Sequence, residues 1–212
     1  MSSYLWPLAG LALANLLGII SPGPAFLMVS RAAAGRSLGI GVALGAGVAV
    51  AATMWAAAAC FGIALLMTQF VSVYGLIQIA GGAYLIWLGI SAWRHSRDPM
   101  PAVQSAAAPA SRDGIARAVL TGAWLSLGNP KIIIFFSSIF VALLPHDAPV
   151  WVRLVAVAIV GVQEVSWYTI VAFVFSRPKV QVAYARARTW IERALGTVLI
   201  GLGTRILVAV RL

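Results

Sequence analysis

Residues 116–144 read ARAVLTGAWLSLGNPKIIIFFSSIFVALL, an apolar stretch long enough to cross a bilayer, and Asn129, Pro130 and Lys131 interrupt it at its centre. Proline removes a backbone hydrogen-bond donor and clashes with the carbonyl of the preceding turn, so a helix breaks there. In hydrocarbon, broken backbone is tolerated only where protein buries it or water reaches it. The stretch therefore predicts a membrane-spanning helix whose break belongs to a cavity or a binding site.

The composition extends this prediction to the whole chain. Of its 212 residues, 62% are hydrophobic and 9% are charged, which no soluble domain with an ordinary polar surface would show. We predict an all-α integral membrane protein in which residues 1–212 form a single transmembrane domain. The six predicted spans are the apolar runs at about 5–29, 40–67, 71–93, 116–144, 152–175 and 190–209.

The first span carries a second break, Ser21-Pro22-Gly23-Pro24. Two prolines around a glycine should interrupt the helix outright, whereas a simple kink would need only one proline. A kink is the alternative, but the motif favours a functional break. Helices one and four are therefore both predicted to be broken by proline motifs.

An internal repeat relates the two halves of the chain. Residues 82–93, GAYLIWLGISAW, align with residues 196–207, GTVLIGLGTRIL, with identities that include Gly82/Gly196 and Gly89/Gly203. Three spans per repeat is an odd number, so the second copy should lie upside down relative to the first, as in many secondary transporters. The predicted units are repeat one at about 1–94, a cytoplasmic linker at about 95–114 and repeat two at about 115–212. Chance matches between Leu- and Gly-rich helices are the alternative.

The net charge of +10 is explained by membrane orientation, and we do not expect the chain to bind nucleic acid. Most Lys and Arg residues fall in the first, third and fifth loops, while the second loop has none and the fourth has only Arg153. The positive-inside rule then places these odd loops in the cytoplasm and both termini outside. Cys60 has no cysteine partner, and the two histidines belong to no metal-binding spacing, so we expect no disulfide, metal or cofactor.

Two opposite charges are predicted near the bilayer centre, Lys131 in span four and Glu164 in span five. Half-helices that begin near the midplane would point positive N-terminal ends at an anionic group, and Lys131 would add to the attraction for a carboxylate. Glu164 could meet an ammonium group or carry a coupling proton. Alternatively, Lys131 snorkels to an interface, or the two charges form a structural ion pair. Further polar residues that could line the site are Asn15, Gln78, Gln163 and Trp167.

The sequence resembles the LysE/RhtB family of bacterial amino acid exporters across essentially the whole chain. The resemblance lies in residues 21–50, 80–94 and LGNPKIIIFFSSIF at 127–140. It implies a six-helix protein of the bacterial inner membrane that expels amino acids or their analogues, driven by a proton or ion gradient. The positions that match the family's signature are Ser21, Pro22, Gly23, Pro24, Asn129, Pro130 and Lys131. This chain has Gln78 where many members carry a lysine, and Glu164 where the acid is often aspartate.

Other functions remain open at this stage. The chain could export other small metabolites or act as a channel, although no repeated filter sequence is visible. A membrane-embedded enzyme would need a second intramembrane acid or an activated nucleophile, for which the spacings give no support. The small residues Gly41, Gly45 and Ala49 permit close helix packing, either within a monomer or between the protomers of a homo-oligomer.

Overall fold

The computed structural model describes residues 4–20, 23–35, 37–69, 71–97, 112–145 and 147–209. The described residues form eight α-helices and a short 3₁₀ turn at His95–Arg97. The helices are α1 (Leu5–Ile20), α2 (Pro24–Gly35), α3 (Leu38–Gln69), α4 (Val71–Arg94), α5 (Arg112–Leu127), α6 (Pro130–Leu143), α7 (Val150–Phe175) and α8 (Pro178–Ala209). The described part of the chain is thus all-helical, which is consistent with the predicted membrane protein, and most of the predicted linker lies outside the described residues.

Both proline motifs coincide with sharp bends. The axes of α1 and α2 differ by 59°, and those of α5 and α6 differ by 63°. By length and composition, Leu38–Gly62 of α3 and Val150–Phe175 of α7 can each cross a membrane, and the two bent pairs raise the number of candidate spans to four in the described chain. The spans predicted for α4 and α8 stay predictions.

The two halves of each bent pair pack into different hydrophobic clusters. One cluster contains Leu11 of α1 and Phe136 of α6, and the other contains Phe26 of α2 and Ala118 of α5. The continuous helices α3 and α7 contribute to both clusters, because each is long enough to pass through them. The breaks therefore lie at the level where one cluster gives way to the other.

Glycines allow α4 and α8 to cross at very short range. A Cβ atom on Gly89 would lie 2.5 Å from the Gly196 carbonyl oxygen, and one on Gly196 would lie 2.5 Å from the Gly89 carbonyl oxygen. The same reciprocal approach joins Gly82 and Gly203. Small residues are what allow two helix backbones to approach this closely in a membrane. The segments that the sequence aligned with each other are therefore packed against each other.

The outer surface is apolar, as lipid requires. Trp6, Trp124 and Trp190 are each more than 70% exposed, and in α7 one face of valines, leucine and phenylalanine is also exposed. On a soluble protein, such an exposed apolar surface would mark an interaction site. In a membrane, the same surface is in contact with the hydrocarbon of the lipids.

The helix of the sixth predicted span, α8, begins earlier than the sequence predicted. Its predicted span started near residue 190, after a basic loop, whereas α8 begins at Pro178 and runs without a break to Ala209. The segment YARAR at 184–188 consists mostly of strong helix formers, which continue the helix outside the apolar run. The hydrophobic pattern marked only the apolar part of this helix.

Candidate functional site

The break in the second bent pair is a capped helix start. Asn129 is the N-cap of α6, and its side-chain oxygen accepts a hydrogen bond from the backbone N–H of Lys131 at 3.0 Å. The helix begins at Pro130, where the missing N–H is harmless because the first N–H groups of a helix have no intrahelical partner. The Asn129 side chain thus provides a hydrogen-bond partner for a backbone N–H that the break leaves without one. Lys131 lies in the first turn of α6.

The break in the first bent pair is likewise followed by a helix that begins at a proline. Helix α2 begins at Pro24, and the Gly23 carbonyl accepts a hydrogen bond from the backbone N–H of Leu27 at 3.0 Å. Ser21 and Pro22, the other residues of this predicted motif, lie outside the described residues. Each break therefore produces a new helix N-terminus, which carries a partial positive charge.

A cavity of about 270 Å³ is lined by residues from both breaks. Five of the predicted site residues line it, namely Gly23, Pro24, Asn129, Lys131 and Glu164. Helices α3, α4, α7 and α8 complete the wall. The apolar part of this wall includes Val48, Leu88, Phe135, Phe136 and Leu199. The cavity thus combines two helix N-termini with charged and apolar side chains, which suits a small polar ligand that has an apolar part.

Four charged side chains line this cavity: Lys131, Glu164, Arg188 and Glu192. The Glu192 carboxylate lies 3.5 Å from the Arg188 guanidinium one helical turn earlier, and it also interacts electrostatically with Lys131. Glu164 is 3% exposed, and in the described part of the chain no cation lies within ion-pair distance of it. Lys131 and Glu164 share one cavity, as their depths suggested, but the acid that acts on Lys131 is Glu192.

Glu192 and Arg188 were missed by the sequence reasoning. Glu192 stood only two residues inside the predicted start of span six, where an acid would usually face the interface. The available signal was the spacing of Arg188 and Glu192, since residues four apart meet on one face of a helix. Because α8 continues from Pro178, that face is helical and reaches the cavity.

The remaining polar residues are placed elsewhere. Asn15 donates a hydrogen bond from its side-chain amide to the Gln163 side-chain oxygen at 2.9 Å, and Gln163 donates to the Ala12 carbonyl at 3.0 Å. These contacts of the buried Asn15 and the partly buried Gln163 join α1 to α7. Gln78 and Trp167 are partly buried, and neither belongs to the described wall of the cavity.

Comparison with known proteins places the chain in a family. The model of the LysE type translocator matches residues 16–210. The chain belongs to the LysE family. The match includes both breaks and the described residues that line the cavity, so the site described above lies within the matched region.

Relatives of this LysE protein include named transporters and uncharacterised membrane proteins. The threonine efflux protein of Escherichia coli K12 is 29% identical over 201 residues, which cover 93% of this chain and 96% of the relative. The uncharacterized membrane protein YahN of Escherichia coli K12 is 31% identical over 173 residues, which cover 81% and 73%. An uncharacterized membrane protein of Haemophilus influenzae is 26% identical over 193 residues, which cover 91% and 92%. No solved structure matches this chain.

Proposed function

We propose that this chain is a secondary transporter that exports amino acids or related zwitterionic metabolites from the cytoplasm, coupled to the proton gradient. The observation that carries the proposal is the single cavity lined by both proline breaks, Lys131 and two carboxyl groups. Its volume of about 270 Å³ lies below the roughly 300–1,000 Å³ typical of drug-sized ligands. A metabolite as small as an amino acid suits it, and a relative of this chain is named a threonine efflux protein.

The substrate carboxylate would lie at the two helix N-termini. The first turns of α2 and α6 have backbone N–H groups without intrahelical partners, and the breaks place both turns on the cavity wall. Lys131 adds a basic side chain in the first turn of α6. A broken helix that offers its N-terminus to a substrate carboxylate is a recurrent arrangement in secondary transporters.

Glu164 would carry the coupling proton. Its carboxyl group is buried near the middle of α7 and lines the cavity. A buried carboxyl group without a cation can bind and release a proton as its surroundings change, which is the chemistry that proton-coupled transporters use. Protonation would then alternate with substrate binding in the same cavity, which links the two fluxes as antiport.

The topology belongs to the same proposal: six spans in the bacterial inner membrane, arranged as two inverted three-helix repeats with both termini outside. Two observations support the inverted repeat. Both repeats begin with a span that is broken before a proline-initiated helix, Pro24 in one and Pro130 in the other. The α4–α8 crossing is also reciprocal, as a pseudo-two-fold axis requires, because Gly82 meets Gly203 and Gly89 meets Gly196.

Efflux from liposomes tests this function. Purified protein is reconstituted with a pool of the common amino acids in the lumen, and their loss is measured under a proton gradient of either polarity. We expect selective, saturable, gradient-dependent loss of one or a few amino acids, with counterflow. Loss that is neither saturable nor able to drive counterflow would indicate a channel, and retention of every amino acid would contradict the proposal in favour of other metabolites or an enzymatic role.

Glu164→Gln tests the coupling. The variant should still exchange substrate across the membrane, but it should lose gradient-driven accumulation, because an amide cannot take up the proton. Asp147→Asn is the matched control, since it makes the same carboxylate-to-amide change at an exposed position between α6 and α7. Gradient-driven transport by Glu164→Gln at the rate of Asp147→Asn would exclude Glu164 as the coupling group.

A further inference from the structure

The cavity contains a second carboxyl group, Glu192, for which the proposed function has no use. Its residue is 6% exposed, and it projects from α8 on the same wall as Arg188 and Leu199. Buried carboxylates are costly unless they are paired, so a glutamate at this place needs either partners or a function.

The partners of Glu192 are basic side chains. Its carboxylate oxygen Oε1 lies 3.5 Å from Nε of Arg188, and Lys131 and His95 also attract it electrostatically. Attraction to these charges opposes the cost of burying the carboxylate. In the described chain, the Glu192 carboxylate therefore lies among several basic side chains, of which Arg188 is its ion-pair partner.

Such a cluster has the charge pattern that an α-amino acid needs. The ammonium and carboxylate groups of an α-amino acid are bonded to the same carbon, so their protein partners must be neighbours. Lys131 and Glu192 line the same cavity and attract each other electrostatically. No interaction joins Lys131 to Glu164 in the described part of the chain, and this makes Glu164 the poorer second partner for a ligand bound at Lys131.

We propose that Glu192 binds the substrate's α-ammonium group while Lys131 binds its carboxylate. This inference rests on the proposed function. Before the substrate binds, Glu192 attracts Lys131 electrostatically without forming an ion pair with it, and its ion-pair partner in the described chain is Arg188. The arriving carboxylate pairs with Lys131, and the Glu192 carboxylate, still paired with Arg188 through Oε1, accepts hydrogen bonds from the ammonium group. Glu192 thus determines specificity for zwitterions over simple carboxylic acids.

The test compares ligands that differ by one charged group. The probes are the twenty common L-amino acids and, for each one that wild-type protein binds, the corresponding 2-hydroxy acid, in which a hydroxyl group replaces the ammonium. Binding is measured by calorimetry on the purified full chain. For Glu192→Gln we expect a loss of roughly tenfold or more in affinity for the amino acid, because a charge-assisted hydrogen bond is lost, and little change for the hydroxy acid.

Asp147→Asn is again the matched control, and it should leave both affinities unchanged. If Glu192→Gln weakens both ligands equally, or neither, the inference is wrong and Glu192 is only a structural partner of the basic residues. A selective loss of amino acid binding in Glu164→Gln instead would place the ammonium at Glu164. If wild-type protein binds no amino acid at all, the proposed function fails, and the inference fails with it.

Glu192→Asp keeps the experiment decisive if Glu192→Gln does not accumulate in the membrane. Aspartate retains the charge but withdraws it from the cavity by one methylene group. We expect a smaller loss of affinity that is still selective for the amino acid. Equal loss for the amino acid and its hydroxy acid would contradict the inference here as well.

Discussion

Gly196→Ala should separate α4 from α8 at the point where their backbones meet. The new Cβ atom would lie 2.5 Å from the Gly89 carbonyl oxygen, whereas ordinary contacts begin at 3.4 Å. The helices would have to move apart by roughly 0.9 Å, because a backbone carbonyl in a helix cannot turn aside as a side chain can. Forced overpacking of this kind costs about 1–3 kcal/mol of unfolding free energy.

Gly201→Ala is the matched control on the same helix. Among the described residues, a Cβ atom at Gly201 would have no neighbour within 4 Å, and the residue is exposed. Both variants gain the same intrinsic helix preference of alanine over glycine, about 1 kcal/mol. The difference between Gly196→Ala and Gly201→Ala therefore isolates the crossing, and it should be about 1–3 kcal/mol.

The assay is a titration of purified protein in mixed micelles with sodium dodecyl sulfate, followed by circular dichroism. We expect Gly201→Ala to unfold at or above the wild-type midpoint and Gly196→Ala to unfold clearly below it. Gly196→Ala should also weaken ligand binding, because Glu192 lies one turn before the crossing on the cavity wall. Equal midpoints for the two variants would refute the close α4–α8 approach.

Two further substitutions test the polar contacts around the site. Asn129→Ala should lower the unfolding free energy by about 1 kcal/mol, since the Lys131 N–H loses its cap; Asn129→Asp should preserve the cap, and equal stability of the alanine variant and wild type would contradict the capping role. Gln163→Leu should cost about 1–3 kcal/mol, because it leaves the buried Asn15 amide unpaired. The double variant with Asn15→Leu should recover part of this loss, and a strictly additive double-mutant cycle would show that the two side chains do not interact.

The two breaks could be predicted from the sequence because their chemistry is local. A proline inside an apolar helix kinks or breaks it through its own missing N–H and its ring, and Pro24 and Pro130 mark the starts of α2 and α6. The same reasoning placed Asn129 and Lys131 at a break, and both line the cavity. Glu164 could be found because an acid in the middle of an apolar helix requires protected surroundings.

Glu192 and the Asn15–Gln163 pair could not be found in this way. Whether Glu192 faces lipid, water or the cavity depends on the rotation of α8 against α4, which the glycine crossing sets. Asn15 and Gln163 are both polar residues within apolar helices, like Glu164, but they hydrogen bond to each other. Residue type and depth in the membrane could not distinguish this hydrogen-bonded pair from Glu164, which lines the cavity.

The sequence by itself determined which segments are apolar, where two helices break and that the chain resembles the LysE family, because each of these follows from residues that are close together along the chain. Only the tertiary structure decided which carboxylate acts on Lys131. Glu164 and Glu192 both line one cavity, and which of them acts on Lys131 depends on how α6, α7 and α8 pack around it. Packing is collective, since each helix is positioned by all its neighbours, so the partner of a buried charge is fixed only when the whole bundle has formed.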